Sequence, residues 1–491
     1  MVNIKQFKKQ CFTEAGMKTA GFLMFFVALH IAGCDGESSI LAGKGGECDK
    51  SADCEGDLRC IDQVCVDSAD AGTGSDTDSD ETEEKDRSDL IYDPTTVIGV
   101  EIEMDPNDWE TVRNDVRDLS CTEGGPCNAE PCTSTYVWKS ATVTLEGEVI
   151  ENAGIRKKGM SSVDPEKPSL KIKFDKFVEG QHPFGMERLT LNNNEADLAF
   201  IRQCLGYGIF LEAGSPAPRC NFARVTVNGE LVGLYTNLEP IKKRFLARHF
   251  DDNDGDLYES GWSSDFRDEW MGSYEVKTTD TDPDRTRIAA VAEALEASDE
   301  ELLSALEPLV DLEAFATFWA LESLIAHGDG YTADHNNSFF YFEPEPGRMY
   351  GIPWGMDKCF IPPEYAMPPV FTTSILPNRL YQLPGGRQLY YDALQTILDE
   401  VWDEADLFAE IDRMEALIAP YVAEDPWYAT ASDWSGNPAE LAPLIQELRD
   451  YVPAKRAQME AAIASPPTEV EKLADCDDGG DDKPDDGDDK V

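Results

Sequence analysis

The sequence is most informative at residues 327–357, which read HGDGYTADHNNSFFYFEPEPGRMYGIPWGMD. This stretch begins with a polar loop, continues into an aromatic run, turns through a segment containing Pro and Gly, and returns through a second apolar run. Two short apolar runs joined by such a turn are typical of a β-hairpin. If residue 342 pairs with residue 349, the register brings Asp357 back beside Asn337 at the polar end.

The polar end of this hairpin has the composition of a metal site. Asn337 brings an amide oxygen and Asp357 brings a carboxylate. Oxygen ligands from one or two acids and an amide, with positions left open for substrate phosphates, suit Mg²⁺. The hairpin therefore predicts a site for a hard divalent cation.

The charge balance excludes one large class of function. The chain of 491 residues has 96 Asp and Glu against 42 Lys and Arg, which gives a formal net charge of −54. Such a surface repels nucleic-acid phosphates, so a general nucleic-acid binder is excluded. Acidic stretches at 67–89 and 468–491 bury too little apolar area to offset their ordering entropy, and we expect a disordered linker and a disordered tail.

The N-terminus predicts export. Basic residues precede a nearly continuous apolar run at 20–32, which is too short to span a bilayer comfortably and ends in Ile31-Ala32-Gly33-Cys34. This pattern resembles a bacterial lipoprotein signal peptide at 1–33. The resemblance implies a mature protein anchored by lipidated Cys34 to a membrane of the cell envelope, on its extracytoplasmic side. Translation from Met17, a plain secretory signal, and either the inner or the outer membrane all stay open.

Cysteine usage agrees with an oxidising compartment, because 13 Cys are present. Besides the lipidated Cys34, a small Gly-, Asp- and Ser-rich module at 34–66 contains Cys48, Cys54, Cys60 and Cys65, and we expect it to fold only if disulfides staple it. Four Cys allow three pairings, and the sequence does not choose among them. Three more crowd one loop and can form one local bridge with a partner left over: Cys121, Cys127 and Cys132. The last four lie far apart, so an odd thiol stays unassigned: Cys204, Cys220, Cys359 and Cys476.

One large domain is predicted at 90–467. Alternating apolar positions indicate strands through its first half, including a hairpin with an Asn-Gly turn at 228–229, and helical periodicity dominates its second half. Strands followed by helices predict an α+β domain with two lobes and a cleft between them. Lys171 and Lys173 share one face of a strand at 170–174, opposite its apolar side chains.

Several ordered motifs resemble the spore-coat CotH family of atypical protein kinases. The motifs span roughly residues 90–463 and are specific in this order: 155–162, 167–176, 233–241, 252–259, and Asp329 with 352–357. The resemblance implies a two-lobed atypical protein-kinase-like domain with a strand-rich N-lobe and a helix-rich C-lobe.

The resemblance also implies roles for individual residues. Asp329 corresponds to the catalytic-loop carboxylate that orients or deprotonates the acceptor hydroxyl. Asn337, preferred over Asn336, and Asp357 correspond to the ligands of Mg²⁺.

The same resemblance implies a phosphate-binding set on the strand-rich lobe. Either Lys171 or Lys173 is expected to reach the ATP phosphates, held in position by Glu239. Further phosphate contacts are expected from Arg156, Lys158, Ser161 and Ser162.

The predicted function is an extracytoplasmic kinase that uses ATP and Mg²⁺ to phosphorylate Ser or Thr of a protein, or of its own chain. The alternative is a catalytically inactive CotH-like surface module with a role in adhesion or envelope structure. Gly355 is the reason for this alternative. The family usually has two acids in the segment after Trp354, and here Gly355 replaces the first of them. A zinc hydrolase using His327 and His335 ranks lower, because it leaves the lysine-rich strand unexplained.

Overall fold

A computed structural model describes residues 58–61, 64–67, 86–119, 130–131, 135–159, 163–261, 263–278, 285–361, 367–432, 436–471 and 473. The predictions for Cys34, Ser161, Ser162 and nearly all of the acidic linker and tail lie outside these residues. The chain divides into two compact units after residue 82. Within the first unit, β1 (Leu58–Ile61) and β2 (Val64–Asp67) form an antiparallel hairpin.

The second unit begins with a closed seven-stranded barrel. Its strands are β3 (Val97–Glu103), β4 (Lys139–Leu145), β5 (Glu148–Lys157), β6 (Leu170–Lys173), β7 (Arg188–Asn192), β8 (Cys220–Val227) and β9 (Glu230–Leu238). The order is β3-β4-β5-β6-β7-β9-β8, and the parallel pairing of β3 with β8 closes it. Alternate residues of β3 point inward: Ile98, Val100 and Ile102 are buried, whereas Glu101 and Glu103 are exposed. Closure leaves the barrel without an unpaired edge.

The predicted Asn-Gly hairpin joins β8 to β9. Val227 pairs with Glu230 across the turn. Asn228 and Gly229 have φ angles of 52° and 81°, as a two-residue turn with left-handed residues requires. This prediction is confirmed.

A second sheet contains the hairpin at 338–353. Its strands are β10 (Asp256–Glu259), β11 (Glu275–Val276), β12 (Ser338–Phe342) and β13 (Met349–Pro353), in the order β11-β10-β12-β13 and all antiparallel. Phe342 pairs with Met349 and Ser338 pairs with Pro353. The predicted register is therefore confirmed.

Helices make up most of the remainder. They are α1 (Pro106–Asn114), α2 (Arg202–Glu212), α3 (Lys243–His249), α4 (Thr286–Leu295), α5 (Leu302–Leu306), α6 (Leu312–Leu324), α7 (Tyr331–Asp334), α8 (Ile375–Gln382), α9 (Pro384–Glu400), α10 (Glu404–Val422) and α11 (Leu441–Ala464). Trp319 of α6 is buried in the main apolar core, 4.5 Å from the ring of Tyr390 on α9. In the described part of the chain, every helix is too short or too polar to cross a bilayer.

The predicted α+β organisation is confirmed, with a strand-rich first half and a helix-rich second half.

Cys204 of α2 and Cys220 at the start of β8 form a disulfide, with their Cα atoms 5.1 Å apart. Cys359 is a free, buried thiol, and Cys476 lies outside the described residues. The pairing that the sequence left open is thereby assigned for these cysteines.

A buried ion pair joins the barrel to the helical half. Lys167, just before β6, lies 2.8 Å from Asp425, between α10 and α11, and both side chains are fully buried. Asp425 also accepts hydrogen bonds from the backbone N–H groups of Leu234, Trp427 and Tyr428. The ion pair and these hydrogen bonds stabilise the Asp425 carboxylate, which would be strongly destabilising if it were buried without partners.

Candidate functional site

The loop at 327–335 connects α6 to β12 and carries Asp329. The Asp329 carboxylate accepts a hydrogen bond of 3.4 Å from the Asn336 amide and lies 3.6 Å from the Lys358 ammonium. Its side chain is 22% exposed, so the carboxylate stays open to a ligand. Asn336 therefore faces the loop carboxylate.

Asp357 follows β13 in a short 3-10 turn at 356–358. Burial and the neighbouring Asp329 charge together raise the pKa of Asp357 to about 6, although the charges of Lys358 and Lys158 act to lower it. The effect of one charge on the pKa of another falls off with the distance between them. The loop carboxylate, the acid at the end of the hairpin and a lysine of the barrel therefore lie near one another.

Asn337 packs against Gly355. Gly355 has φ +57°, and a Cβ atom there would lie 2.6 Å from both Cγ and Oδ1 of Asn337. Real Cβ atoms essentially never approach so closely. Glycine at 355 is thus what lets the Asn337 amide sit over the turn that leads to Asp357.

The donor set at this end of the hairpin fits a hard cation. Asp357 and Asn337 offer oxygens, and repulsion between Asp357 and Asp329 is the kind of strain that a divalent cation relieves. Among the described residues, however, no cluster of three or more His, Cys, Asp or Glu side chains has the arrangement of a metal site. An ion here would need oxygens from a substrate as well.

The two histidines of the loop hold backbone segments together. Nε2 of His327 lies 2.9 Å from the carbonyl oxygen of Trp354, and Nε2 of His335 lies 3.0 Å from that of Thr373. Burial lowers the pKa of both imidazoles, so both are neutral near pH 7. Because Nε2 of each imidazole contacts a different backbone carbonyl, these nitrogens are not directed at a common zinc ion. The contacts therefore speak against the zinc hydrolase hypothesis.

Several cations lie together on the barrel. Arg156 of β5 and Lys171 of β6 are cross-strand partners, and the Arg156 guanidinium lies over the ring of Trp138 at 4.6 Å. Burial lowers the pKa of Lys171 to about 7; Glu259 raises it, and the charges of Arg156 and Lys158 lower it. Lys171 therefore lies among other cations with one carboxylate near it.

That carboxylate corrects a prediction. Glu239 was expected to hold the strand lysine, but it forms ion pairs with Arg219 at 3.0 Å and with Arg248. Glu259, the last residue of β10, is the acid close to Lys171, and it lies 2.5 Å from Lys277. The prediction for Glu239 is therefore wrong.

The choice between the two strand lysines also has a structural answer. Lys173 lies 3.5 Å from Asp175 of the following turn, whereas Lys171 lies in the cationic cluster. Lys158 hydrogen-bonds the side-chain oxygen of Asn192, and burial lowers the pKa of Lys158 to about 8 while Asp357 raises it. Lys158 and Lys171 are thus the lysines that the fold brings to the site.

Sequence reasoning missed Glu259, Lys277 and Lys358. Glu259 ends the motif at 252–259, but only the pairing of β10 with β12 shows where it lies. Lys358 directly follows Asp357, so proximity in sequence was an available signal. The assembled site can neutralise a polyanion with cations and a metal ion, and can orient a hydroxyl group with a carboxylate.

The comparisons with known proteins agree in naming one family. A family model described as CotH kinase protein matches residues 155–459. Spore coat protein homolog 1 of Rhizopus delemar is 20% identical over 358 residues, which cover 68% of this chain and 56% of that protein. Inner spore coat protein H-like protein of Bacillus subtilis is 23% identical over 308 residues, 60% of this chain and 87% of that protein. The chain therefore spans little more than half the length of the Rhizopus relative.

Among solved structures, the Helicobacter pylori proinflammatory kinase CtkA is similar with a TM-score of 0.34 and 9% sequence identity. The alignment covers 63% of this chain and 93% of that one.

Proposed function

The chain belongs to the CotH kinase protein family, and from that premise we propose that it is an extracytoplasmic, Mg²⁺-dependent protein kinase. It transfers the γ-phosphate of ATP to Ser or Thr of a protein or of its own chain. The observation that carries the proposal is the convergence of Asp329 and Asp357 with Lys158 of the barrel. Phosphoryl transfer depends mainly on positioning and on neutralisation of charge, and these groups supply both.

Mg²⁺ would be held by Asp357 and the Asn337 amide, with phosphate oxygens completing its coordination. When bound, the ion neutralises charge on the phosphates. Asn336 has a different contact, since its amide N–H donates to Asp329.

Asp329 orients the acceptor hydroxyl group. Its carboxylate is partly exposed, and it is held near Asp357 by a loop that the neighbouring histidines fasten on both sides. A hydroxyl group that hydrogen-bonds Asp329 is placed for attack on a phosphate bound beside Asp357.

The ATP phosphates bind to the cations of the barrel. The charges of Lys158 and Arg156 lower the pKa of Lys171, and a polyanion bound beside Lys171 would relieve this repulsion. Glu259, the carboxylate near Lys171, keeps that lysine in place. Ser161 and Ser162 stay part of the proposed phosphate loop.

The proposed location is the extracytoplasmic side of a bacterial envelope membrane, to which lipidated Cys34 anchors the chain. The lipoprotein-like signal supports this proposal, and so does the Cys204–Cys220 disulfide, since disulfides persist mainly in oxidising compartments.

Transfer of radiolabelled phosphate from ATP by the purified protein tests the proposal. We expect labelling of an acceptor protein or of the chain itself only when Mg²⁺ is present. Asp329→Asn and Asp357→Ala should each lower the rate by about 100-fold or more, whereas Asp392→Asn, at an exposed position of α9, should not change it. If the wild-type protein shows no labelling that depends on ATP and Mg²⁺, the inactive surface module in adhesion or envelope structure becomes the better account.

A further inference from the structure

One buried carboxylate has no part in the chemistry proposed above. Glu322 lies on α6, inside an apolar helix, and its side chain is fully buried. Isolated buried carboxylates are strongly destabilising unless hydrogen bonds satisfy them. The position of Glu322 therefore calls for a structural or functional reason.

The partners of Glu322 all belong to the loop that carries Asp329. Its Oε1 accepts a hydrogen bond of 3.2 Å from the backbone N–H of Tyr331. Its Oε2 accepts one of 2.8 Å from the backbone N–H of Thr332 and one of 2.7 Å from the Thr332 hydroxyl group. The carboxylate thus fixes the segment that immediately follows Asp329 and Gly330.

The other side of the loop is fastened to the same residue. The backbone N–H of His327 donates to the carbonyl oxygen of Glu322 at 2.9 Å. Asp329 therefore lies between two attachments, both of which end on Glu322.

Gly330 makes this close approach possible. A Cβ atom at 330 would lie 2.4 Å from Oε1 of Glu322 and 2.6 Å from Cδ2 of His327. Only glycine leaves room for the carboxylate to reach the N–H groups beyond it.

We propose that Glu322 is a positioning residue for the Asp329 carboxylate: its main-chain carbonyl holds the loop before Asp329, and its side-chain carboxylate sets the path of the loop directly after Asp329. The inference rests on the proposed kinase function, because it assigns Glu322 a part in the same reaction. Glu322 touches neither substrate nor metal in this account and acts only through the loop.

The charge state of Glu322 matters because all three of its partners are hydrogen-bond donors. A protonated carboxyl group offers one acceptor fewer and adds a donor that faces donors. Burial raises the pKa of Glu322 to about 7, while the hydrogen bonds from Thr332 and Tyr331 lower it. The neighbouring His327 and Cys359 are neutral near this pH, because burial lowers the pKa of the imidazole and raises that of the thiol. The rate should therefore rise with pH as Glu322 loses its proton.

The test compares Glu322→Gln with the wild-type protein and with Glu313→Gln, at an exposed position of the same helix. We expect Glu322→Gln to lower kcat by about 10- to 100-fold through misplacement of Asp329, with KM for ATP changed less than about twofold. The rise of kcat with pH near 7 should disappear in Glu322→Gln and persist in Glu313→Gln. Thermal unfolding shows whether each variant is folded.

Thr332→Val is the second variant, for the case that Glu322→Gln does not fold. It removes one donor to the same carboxylate and should lower kcat by about three- to tenfold with KM for ATP unchanged. An active wild type whose kcat and pH profile survive in both folded variants, or in Thr332→Val alone if only that variant folds, would overturn the inference and leave the proposed function standing. An inactive wild type overturns the proposed function, and the role of Glu322 with it.

Discussion

Lys171 is the barrel residue that most directly tests the phosphate site. Replacement by Met keeps the length and apolar stem of the side chain and removes the charge. We expect Lys171→Met to raise KM for ATP by about tenfold, the usual size of one lost charged hydrogen bond. The matched variant Lys173→Met should leave KM unchanged, because the Lys173 ammonium lies 3.5 Å from Asp175. Steady-state kinetics at varied ATP concentration measure both, and equal effects of the two variants would contradict the assignment of Lys171.

Gly355 tests the contact with the Asn337 amide. An alanine there meets a positive φ and a Cβ position 2.6 Å from the Asn337 side chain. We expect Gly355→Ala to cost about 1–3 kcal/mol in the free energy of unfolding and to weaken Mg²⁺ binding. Gly208→Ala is the control, since its Cβ would meet nothing within 4 Å on α2, and it should be neutral or stabilising by up to about 1 kcal/mol. Chemical denaturation and Mg²⁺ titration by calorimetry measure the two effects; a Gly355→Ala protein as stable as Gly208→Ala would be inconsistent with the contact.

Residue identities alone could not show which acid forms an ion pair with which base. Glu239 and Glu259 are both acids that follow or end a strand, and the sequence offers no reason to prefer the second. Their difference lies in the neighbours that the fold supplies: two arginines for Glu239, and Lys171 with Lys277 for Glu259. Glu322 did leave a signal, as an acid inside the apolar run at 318–326.

At the level of elements, local pairings were predictable and distant ones were not. The turns at 228–229 and 343–348 joined neighbouring strands, so each register followed from turn chemistry and alternation. The pairing of β10 with β12 joins segments about 80 residues apart, and nothing in either strand specifies it. That pairing is what brings Glu259 to the site.

The disulfide between α2 and β8 gives a prediction for these elements. It closes a loop with a sequence separation of 16. By loop-closure entropy, such a bond contributes about 3 kcal/mol. We expect the Cys204→Ala/Cys220→Ala double variant to lose about that much stability in chemical denaturation while its kcat changes less than about twofold. A double variant as stable as the wild-type protein would show that the bond adds nothing to the fold.

Over the whole molecule, the buried pair of Lys167 and Asp425 connects the barrel to the helices. Asp425→Asn leaves a buried ammonium without its counter-charge, so we expect a loss of about 3–5 kcal/mol in the free energy of unfolding. Lys167→Met/Asp425→Asn removes the ammonium as well and should be less destabilised than Asp425→Asn alone. Urea denaturation of the single and double variants measures the difference. A double variant less stable than the single one would contradict the idea that charge compensation is what matters here.

The overall organisation followed from composition and periodicity more readily than the site did. Strands before helices predicted an α+β domain, and the order of the elements in the structure confirms it. The site required the three-dimensional arrangement, because its groups come from β5, β6, the end of β10, the loop after α6 and the turn after β13. The chain has a net charge of −54, so its composition does not reveal that four cations lie near one another: Arg156, Lys158, Lys171 and Lys277.

The most direct measurement is a crystal structure of the wild-type protein with Mg²⁺ and a non-hydrolysable ATP analogue. The account predicts a phosphate chain between Lys158 and Lys171 on one side and Asp357 with Asn337 on the other, bridged by Mg²⁺, and with Asp329 open toward the terminal phosphate. A nucleotide bound at another surface, or no nucleotide bound near these residues at saturating concentration, would contradict it.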